Sequence, residues 1–220
     1  MTAVNILSTR CVANSDKALF KASNCILTEI DFISINPIPF NLGAVYDAVL
    51  FTSQNAVKQV CNHPDLAFLK EKIAFCVGMN TKKALENAGW EVKAWAHYAK
   101  DLAPILSEQF PDISISFFNG SLRRALLPSV FQQEGRLFNE FKVYETHLTP
   151  VWITTPFDGI CFYSPSAIQS YLQLNTITDE VCFCIGDTTA EALKEVTQNI
   201  VLAEQPTVEA TLQACVKYYQ

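Results

Sequence analysis

The sequence is defined first by what it lacks. No apolar run in its 220 residues is long enough to cross a membrane, so a spanning protein is not expected. Lys and Arg number 16 against 22 Asp and Glu, a net charge of −6, and no basic run occurs. A surface that tracks nucleic-acid phosphates is therefore not expected either. Only seven glycines are present, at 43, 78, 89, 120, 135, 159 and 186. They form neither G-x-G-x-x-G nor a Walker loop, which removes the usual nucleotide cradles, and G-x-S-x-G is also missing. His63, His97 and His147 are scattered without metal-ligand spacing and read as surface or loop residues. No C-x-x-C occurs, and no His completes a zinc set beside Cys182 and Cys184, so no metal site and no cofactor are expected.

Cysteine itself is not scarce. Eight stand at 11, 25, 61, 76, 161, 182, 184 and 215, mostly inside apolar runs. That placement reads as reduced, buried thiols in a cytoplasmic protein rather than a disulfide framework. The N-terminal segment around Asn5–Ser8 lacks a charged leader before a long apolar stretch and reads as a first strand.

Half the residues are hydrophobic, and the apolar runs are short and separated by helical patterns. Strands are expected near 5–8, 25–35, 48–52, 73–77, 91–94, 115–118, 139–144, 160–163, 181–185 and 200–203. Helices are expected to start near Ser15, Gln54, Thr81, Leu102, Leu122, Ser166, Thr188 and Thr207. Strands alternating with helices predict an α/β fold with parallel sheets. Ser53 and Ser164 are expected N-caps, and Gly89 is placed to end the helix begun at Thr81.

The chain also repeats itself. Val49-Leu50-Phe51-Thr52-Ser53 returns as Ile160-Cys161-Phe162-Tyr163-Ser164, an offset of 111 (160 − 49). Tyr46-Asp47 precedes the first copy and Phe157-Asp158 the second. At the same offset Leu7 maps to Phe118 and Ile33 to Tyr144. Later the offset becomes 108, laying Cys76-Val77-Gly78 over Cys184-Ile185-Gly186. Ordered agreement over so long a period predicts a duplication and two similar lobes with a cleft. Two extended, proline-bearing stretches, 33–40 and 142–150, occupy matching places and read as paired connectors.

The strand-to-helix turns carry small donors: Thr9 with Arg10, Thr52 with Ser53, Gly78, Gly120, Ser164, and Gly186 with Thr188 and Thr189. In parallel sheets such turns lie at the carboxyl ends of the strands, where ligands bind. Helix starts there offer unpaired N–H groups that suit carboxylates. Plain N-capping explains each Ser or Thr taken singly.

Several motifs resemble the uroporphyrinogen-III synthase family. They are Phe51-Thr52-Ser53-Gln54-Asn55-Ala56-Val57, Asn119-Gly120-Ser121-Leu122-Arg123-Arg124 with Gly135 and Val143-Tyr144-Glu145-Thr146, Phe162-Tyr163-Ser164-Pro165-Ser166, and Ile185-Gly186-Asp187-Thr188-Thr189-Ala190. The resemblance implies two lobes, each a parallel sheet flanked by helices, joined by a two-stranded connector. It implies a discontinuous first lobe of 1–35 plus 149–220 and a second lobe of 38–142. The implied activity is a cofactor-independent cyclisation of hydroxymethylbilane, a linear tetrapyrrole, to uroporphyrinogen III, with inversion of the terminal ring and loss of water.

Within that resemblance Tyr144 is the candidate catalytic residue, because a phenol ordinarily titrates near ~10 and is a neutral donor at neutral pH. Arg10 and Arg124 are candidates for pairing with substrate carboxylates. Thr9, Thr52, Ser53, Gly78, Gly120, Ser164, Gly186, Thr188 and Thr189 would supply further donors. A monomer is expected. A two-lobe binder of a small polycarboxylate anion, without catalysis, is the alternative.

Overall fold

The computed structural model describes residues 3–21 and 23–220; Met1, Thr2 and Ala22, which fall within the expected first lobe, lie outside the described residues. The chain begins with β1 (Val4–Ser8), α1 (Asn14–Lys21), β2 (Cys25–Glu29) and β3 (Ile33–Pro37). It continues through β4 (Ala48–Phe51), α2 (Gln54–Val60), α3 (Leu66–Lys70), β5 (Ile73–Val77), α4 (Met79–Asn87), β6 (Val92–Ala96) and α5 (Ala99–Gln109). Next come β7 (Ile115–Gly120), α6 (Leu126–Gln133) and the long β8 (Phe138–Leu148). The last third holds β9 (Gly159–Phe162), α7 (Pro165–Tyr171), β10 (Val181–Cys184), α8 (Asp187–Glu191), β11 (Ile200–Leu202) and α9 (Val208–Tyr218).

The fold is α/β with two compact units. One comprises Met1–Ser34 with His147–Gln220, the other Ile35–Thr146. The first unit holds a sheet of order β11-β10-β9-β1-β2, parallel throughout. The six-stranded sheet of the second has order β3-β8-β7-β4-β5-β6, parallel from β8 to β6. β3, which ends at Pro37, is its edge strand, where a residue without an N–H costs no ladder bond. Thr149 N donates to Phe32 O and Ile38 N to Val143 O, so the two chain crossings run antiparallel.

The repeat is structural. Shifting β4 and α2 by 111 reproduces the bounds of β9 and α7 (48 + 111 = 159; 54 + 111 = 165). Shifting β5 and β6 by 108 gives the starts of β10 and β11 (73 + 108 = 181; 92 + 108 = 200). Each unit then combines halves of both copies: β1 and β2 join β9 to β11, and β4 to β6 join β7 and β8. One alignment shifts by two residues. Ile6 faces Gly159 while Ile115 faces Ala48, so β1 matches β7 at an offset of 109 (115 − 6), not 111. The second copy has two more residues between its first two strands: Ile115 faces Phe138, 23 positions on, whereas Ile6 faces Leu27, 21 positions on. From β2 and β8 onward the offset returns to 111, so Ile33 remains the counterpart of Tyr144 (27 + 111 = 138).

Local expectations fail where tertiary contacts intervene. The single strand expected over 25–35 is two, because Ile30 N and Phe32 N turn back to Ser8 O and Thr9 O and Phe32 is fully buried. The helix expected near Leu122 starts at Leu126; residues 121–125 form an exposed turn closed by Arg123 N on Gly120 O. α3 was not expected, being five residues long with one buried side chain, Leu69. Strand β8 starts before the expected connector because its first half also fills the sheet beside β7.

Apolar clusters cover both faces of each sheet. Strand alternation decides membership: Cys182 and Cys184 lie in one cluster and Phe183 in the opposite one. Phe118 anchors the second unit, stacked on Phe51 at 5.3 Å and on Phe141 at 4.9 Å between centroids. No helix among the described residues is long and apolar enough to cross a membrane.

Candidate active site

In each sheet three adjacent strands end at donor-bearing turns. The first unit has Gly186 after β10, Ser164 after β9, and Thr9 and Arg10 after β1. The second has Gly78 after β5, Thr52 and Ser53 after β4, and Gly120 at the end of β7. Parallel pairing brings each trio to one edge, so residues separated by up to 177 positions (186 − 9) become neighbours in a row.

The row residues are engaged to different degrees. Ser53 Oγ accepts from Asn55 N at 3.1 Å and Ser164 Oγ from Ala167 N at 3.1 Å, so both are helix caps. Ser164 Oγ also lies 2.9 Å from Ser166 Oγ. Gly78 has φ +90°, a conformation that favours glycine, and its N–H donates to Ala96 O at 2.8 Å. Thr9 is buried, with Oγ1 donating to Cys161 O at 2.8 Å and its N–H donating to the same carbonyl at 3.1 Å. Its hydroxyl therefore ties β1 to β9. Thr189 is also buried, while Thr188 and Thr52 are half-buried. Gly186 is buried and precedes α8, whose first residue, Asp187, is exposed.

Arg10 is exposed, its guanidinium 5.9 Å from the centre of the Tyr163 ring. The Tyr163 hydroxyl lies 3.2 Å from Ser8 Oγ. Burial is the main reason its phenol is pushed well above the ordinary range, so it stays neutral. Neither Ser8 nor Tyr163 stood out in the sequence; an aromatic following an apolar strand looks like more core.

Tyr144 sits where β8 departs from regular pairing. Asn119 faces Lys142 and Gly120 faces Tyr144, so Val143 is a bulge residue with no partner on β7. Strict alternation would place Tyr144 on the face of Glu140 and Lys142. The bulge turns it instead toward the cluster containing Val143 and Phe118. Its ring lies on Gly120, and among the described residues no hydrogen-bond partner engages its phenol.

On the other side of that strand end is a polar concavity of about 320 Å³ lined by Asn119, Gly120, Ser121, Arg123, Glu140 and Lys142. Arg123 grips Glu140 in bidentate fashion, through Nε and through Nη2 at 2.8 Å. Asn119 Nδ2 adds a bond of 2.6 Å to the same carboxylate. Lys142 pairs with Glu145 at 3.1 Å. Arg124 is exposed and does not line this concavity. Spacing alone could not separate Arg123 from Arg124, because the turn that distinguishes them is not a helix. The one available signal was Glu140 on the neighbouring strand, complementary in charge to Arg123.

Two α/β units, donor turns along one edge of each sheet and a tyrosine seated at a bulge narrow the range of relatives. The family model described as uroporphyrinogen-III synthase HemD matches residues 16–213. The chain belongs to the uroporphyrinogen-III synthase family. Solved structures of that family share the fold. The uroporphyrinogen-III synthetase of Helicobacter pylori superposes with a TM-score of 0.71 at 20% identity, covering 98% of this chain and 99% of that one. A mutant uroporphyrinogen III synthase from the extremely thermophilic bacterium Thermus thermophilus gives 0.70 at 16% identity, covering 98% of each chain. Another structure of the Thermus thermophilus synthase gives 0.52 at 17% identity, covering 99% of this chain and all of that one. No curated protein matches by sequence.

Proposed function

We propose that this chain converts hydroxymethylbilane to uroporphyrinogen III, acting as a cofactor-independent cyclising lyase. Membership of the synthase family supports the reaction. The observation that carries the residue-level reading is the Tyr144 phenol, seated by a bulge within β8 beside the carboxyl end of β7 with its hydroxyl unengaged among the described residues.

In this reading Tyr144 donates its phenolic proton to the hydroxyl that leaves the linear substrate, and the phenolate takes a proton back from the pyrrole carbon that loses one when the ring recloses. Loss of that hydroxyl as water generates a cationic azafulvene. The terminal pyrrole attacks it through its substituted carbon, giving a spiro intermediate that fragments and recloses with the ring inverted. Spontaneous closure gives the non-inverted type I product, so the protein's main contribution is to impose conformation. Well-oriented positioning of this kind is worth roughly 7–11 kcal/mol.

Substrate carboxylates are held by the two donor rows. Arg10 and Arg124, both exposed, are the proposed ion-pair partners. At Ser53, Ser164 and Gly186 the helix-start N–H groups carry the interaction, since the serine hydroxyls already cap their helices. Thr9 is buried with both its hydroxyl and its N–H committed to Cys161 O, so its part is to hold the turn that presents Arg10. Thr52, Gly78, Thr188 and Thr189 complete the rows. The two compact units serve as the two lobes, and the protein acts as a monomer in the cytoplasm, where eight free thiols persist.

The test is to supply freshly made hydroxymethylbilane and to resolve the isomers formed. Type III is expected in excess, and Tyr144→Phe is expected to lower its formation at least ~100-fold, the lower range for loss of a general acid, with an unchanged melting midpoint. Type I alone from the unaltered protein overturns the activity. Near-normal type III formation by the variant removes Tyr144 from it.

A further inference from the structure

We propose that Gly120 and Ser121 are positioning residues that seat the Tyr144 phenol, rather than contacts for substrate. This rests on the reading of Tyr144 as the proton donor. A Cβ on residue 120 would lie 2.2 Å from Cζ, 2.3 Å from Cε2 and 2.7 Å from the hydroxyl of Tyr144. The ring therefore fills the space that any side chain at 120 would need. Gly120 is not among the glycines with positive φ, so its backbone does not call for glycine, and the three atoms nearest an added Cβ all belong to Tyr144.

The next residue fixes the strand beneath the ring. Ser121 N donates to Tyr144 O at 3.1 Å, and Ser121 Oγ accepts from Thr146 N at 3.0 Å. These two bonds bracket the segment immediately after the bulge, where regular ladder pairing no longer sets the side-chain direction. Gly120 thus makes room for the ring, and Ser121 determines where its backbone lies.

The duplication supplies an internal control. In the first unit the matching strand end reads Ser8-Thr9-Arg10-Cys11, without glycine, and the counterpart of Tyr144 is Ile33. The architecture tolerates side chains at this strand end. Glycine occurs only in the copy that carries the tyrosine.

The experiment is a kinetic cycle on the full chain with hydroxymethylbilane, scoring kcat, KM and the type III to type I ratio. Gly120→Ala is expected to lower kcat at least about tenfold, equivalent to ~1.4 kcal/mol of barrier, to leave KM within about twofold of the parent, and to shift product toward type I. Ser121→Ala is expected to act in the same direction more weakly, with Ser121→Thr restoring the ratio. Added to Tyr144→Phe, neither change lowers kcat further, because residues acting through one group are not independent. A raised KM with kcat preserved would mean direct substrate contact and overturns the proposal. So does a double variant whose losses multiply. If Gly120→Ala does not fold, the Ser121 pair decides on the same criteria. A crippled Tyr144→Phe beside native-like Gly120→Ala and Ser121→Ala sinks the seat alone, whereas a native-like Tyr144→Phe sinks the seat together with the proton-donor reading.

Discussion

At the scale of single residues, burial separates groups that composition makes look alike. All eight cysteines are free, but Cys76, Cys182 and Cys184 have thiols that burial pushes up to about 12, and these are inert at neutral pH. Cys11 is the exposed one. Its thiol is raised by its hydrogen bond to Asp31, with the charge of that carboxylate adding to the effect. A thiol reagent at pH 8 is therefore expected to label one cysteine of the native protein, at Cys11, and all eight after denaturation. Asp31→Asn should speed the native reaction several-fold, by freeing more thiolate; an unchanged rate would mean that Asp31 does not set it. Asn119, Arg123 and Glu140 were not legible at this scale for a related reason. A charged residue announces its charge in sequence, but its partner only through the fold.

At the scale of elements, helix starts were legible and helix-to-strand joins were not. Ser53, Ser164 and Thr207 cap α2, α7 and α9, since a cap bonds only to N–H groups two or three residues ahead. The C-terminal end of α5 depends on a distant residue instead. Arg136, nearly buried, donates to Leu106 O at 3.1 Å, Phe110 O at 2.6 Å and Ile113 O at 3.2 Å, and pairs with Glu134 at 3.1 Å. It adds a second donor to Leu106 O and Phe110 O, which already accept from Phe110 N and Ile113 N, bonds Ile113 O just beyond the helix, and places positive charge at the negative end of the dipole. Arg136→Ala is expected to cost about 3 kcal/mol, as a near-buried charge-assisted set is lost, measured as a fall in the urea midpoint without a change in slope. A shift below ~0.5 kcal/mol, ordinary for a surface change, would show that water replaces the guanidinium at these carbonyls.

At the scale of the whole molecule, the repeated aromatic-aspartate pair acquires a role. Asp47 Oδ2 accepts from Ser114 N at 3.1 Å, and Asp158 Oδ2 accepts from Asn5 N at 2.7 Å. Asn5 and Ser114 are matched at the β1-to-β7 offset (114 − 5 = 109), so each aspartate ties a segment of one copy to a segment of the other. The Ser114 hydroxyl, and then its backbone N–H, hold the Asp47 carboxyl below the usual carboxylate range. A depressed folded value gives stabilisation that is present above the unfolded value near ~3.9 and lost as pH falls through the folded one. Asp47→Asn is therefore expected to lower stability at pH 7 by less than about 1 kcal/mol, since the site is exposed and screened. The gap from the parent should shrink below about pH 4. A gap independent of pH down to acid unfolding would count against the carboxylate.

The sequence by itself determined the α/β class, the duplication, the donor turns and the Ser caps. Each of these is written in periodicity or in contacts a few residues long, and hydrophobic alternation survives duplication. Which half of each copy joins which was implied by the family resemblance and not by periodicity, because strand pairing is non-local and both copies carry equivalent edges; the strand order and register are seen only in the tertiary structure. It also decided that Arg123 rather than Arg124 meets Glu140, and that Tyr144 leaves the face its position in the strand implies. A one-residue bulge reverses a side chain's direction without leaving any mark on composition or spacing.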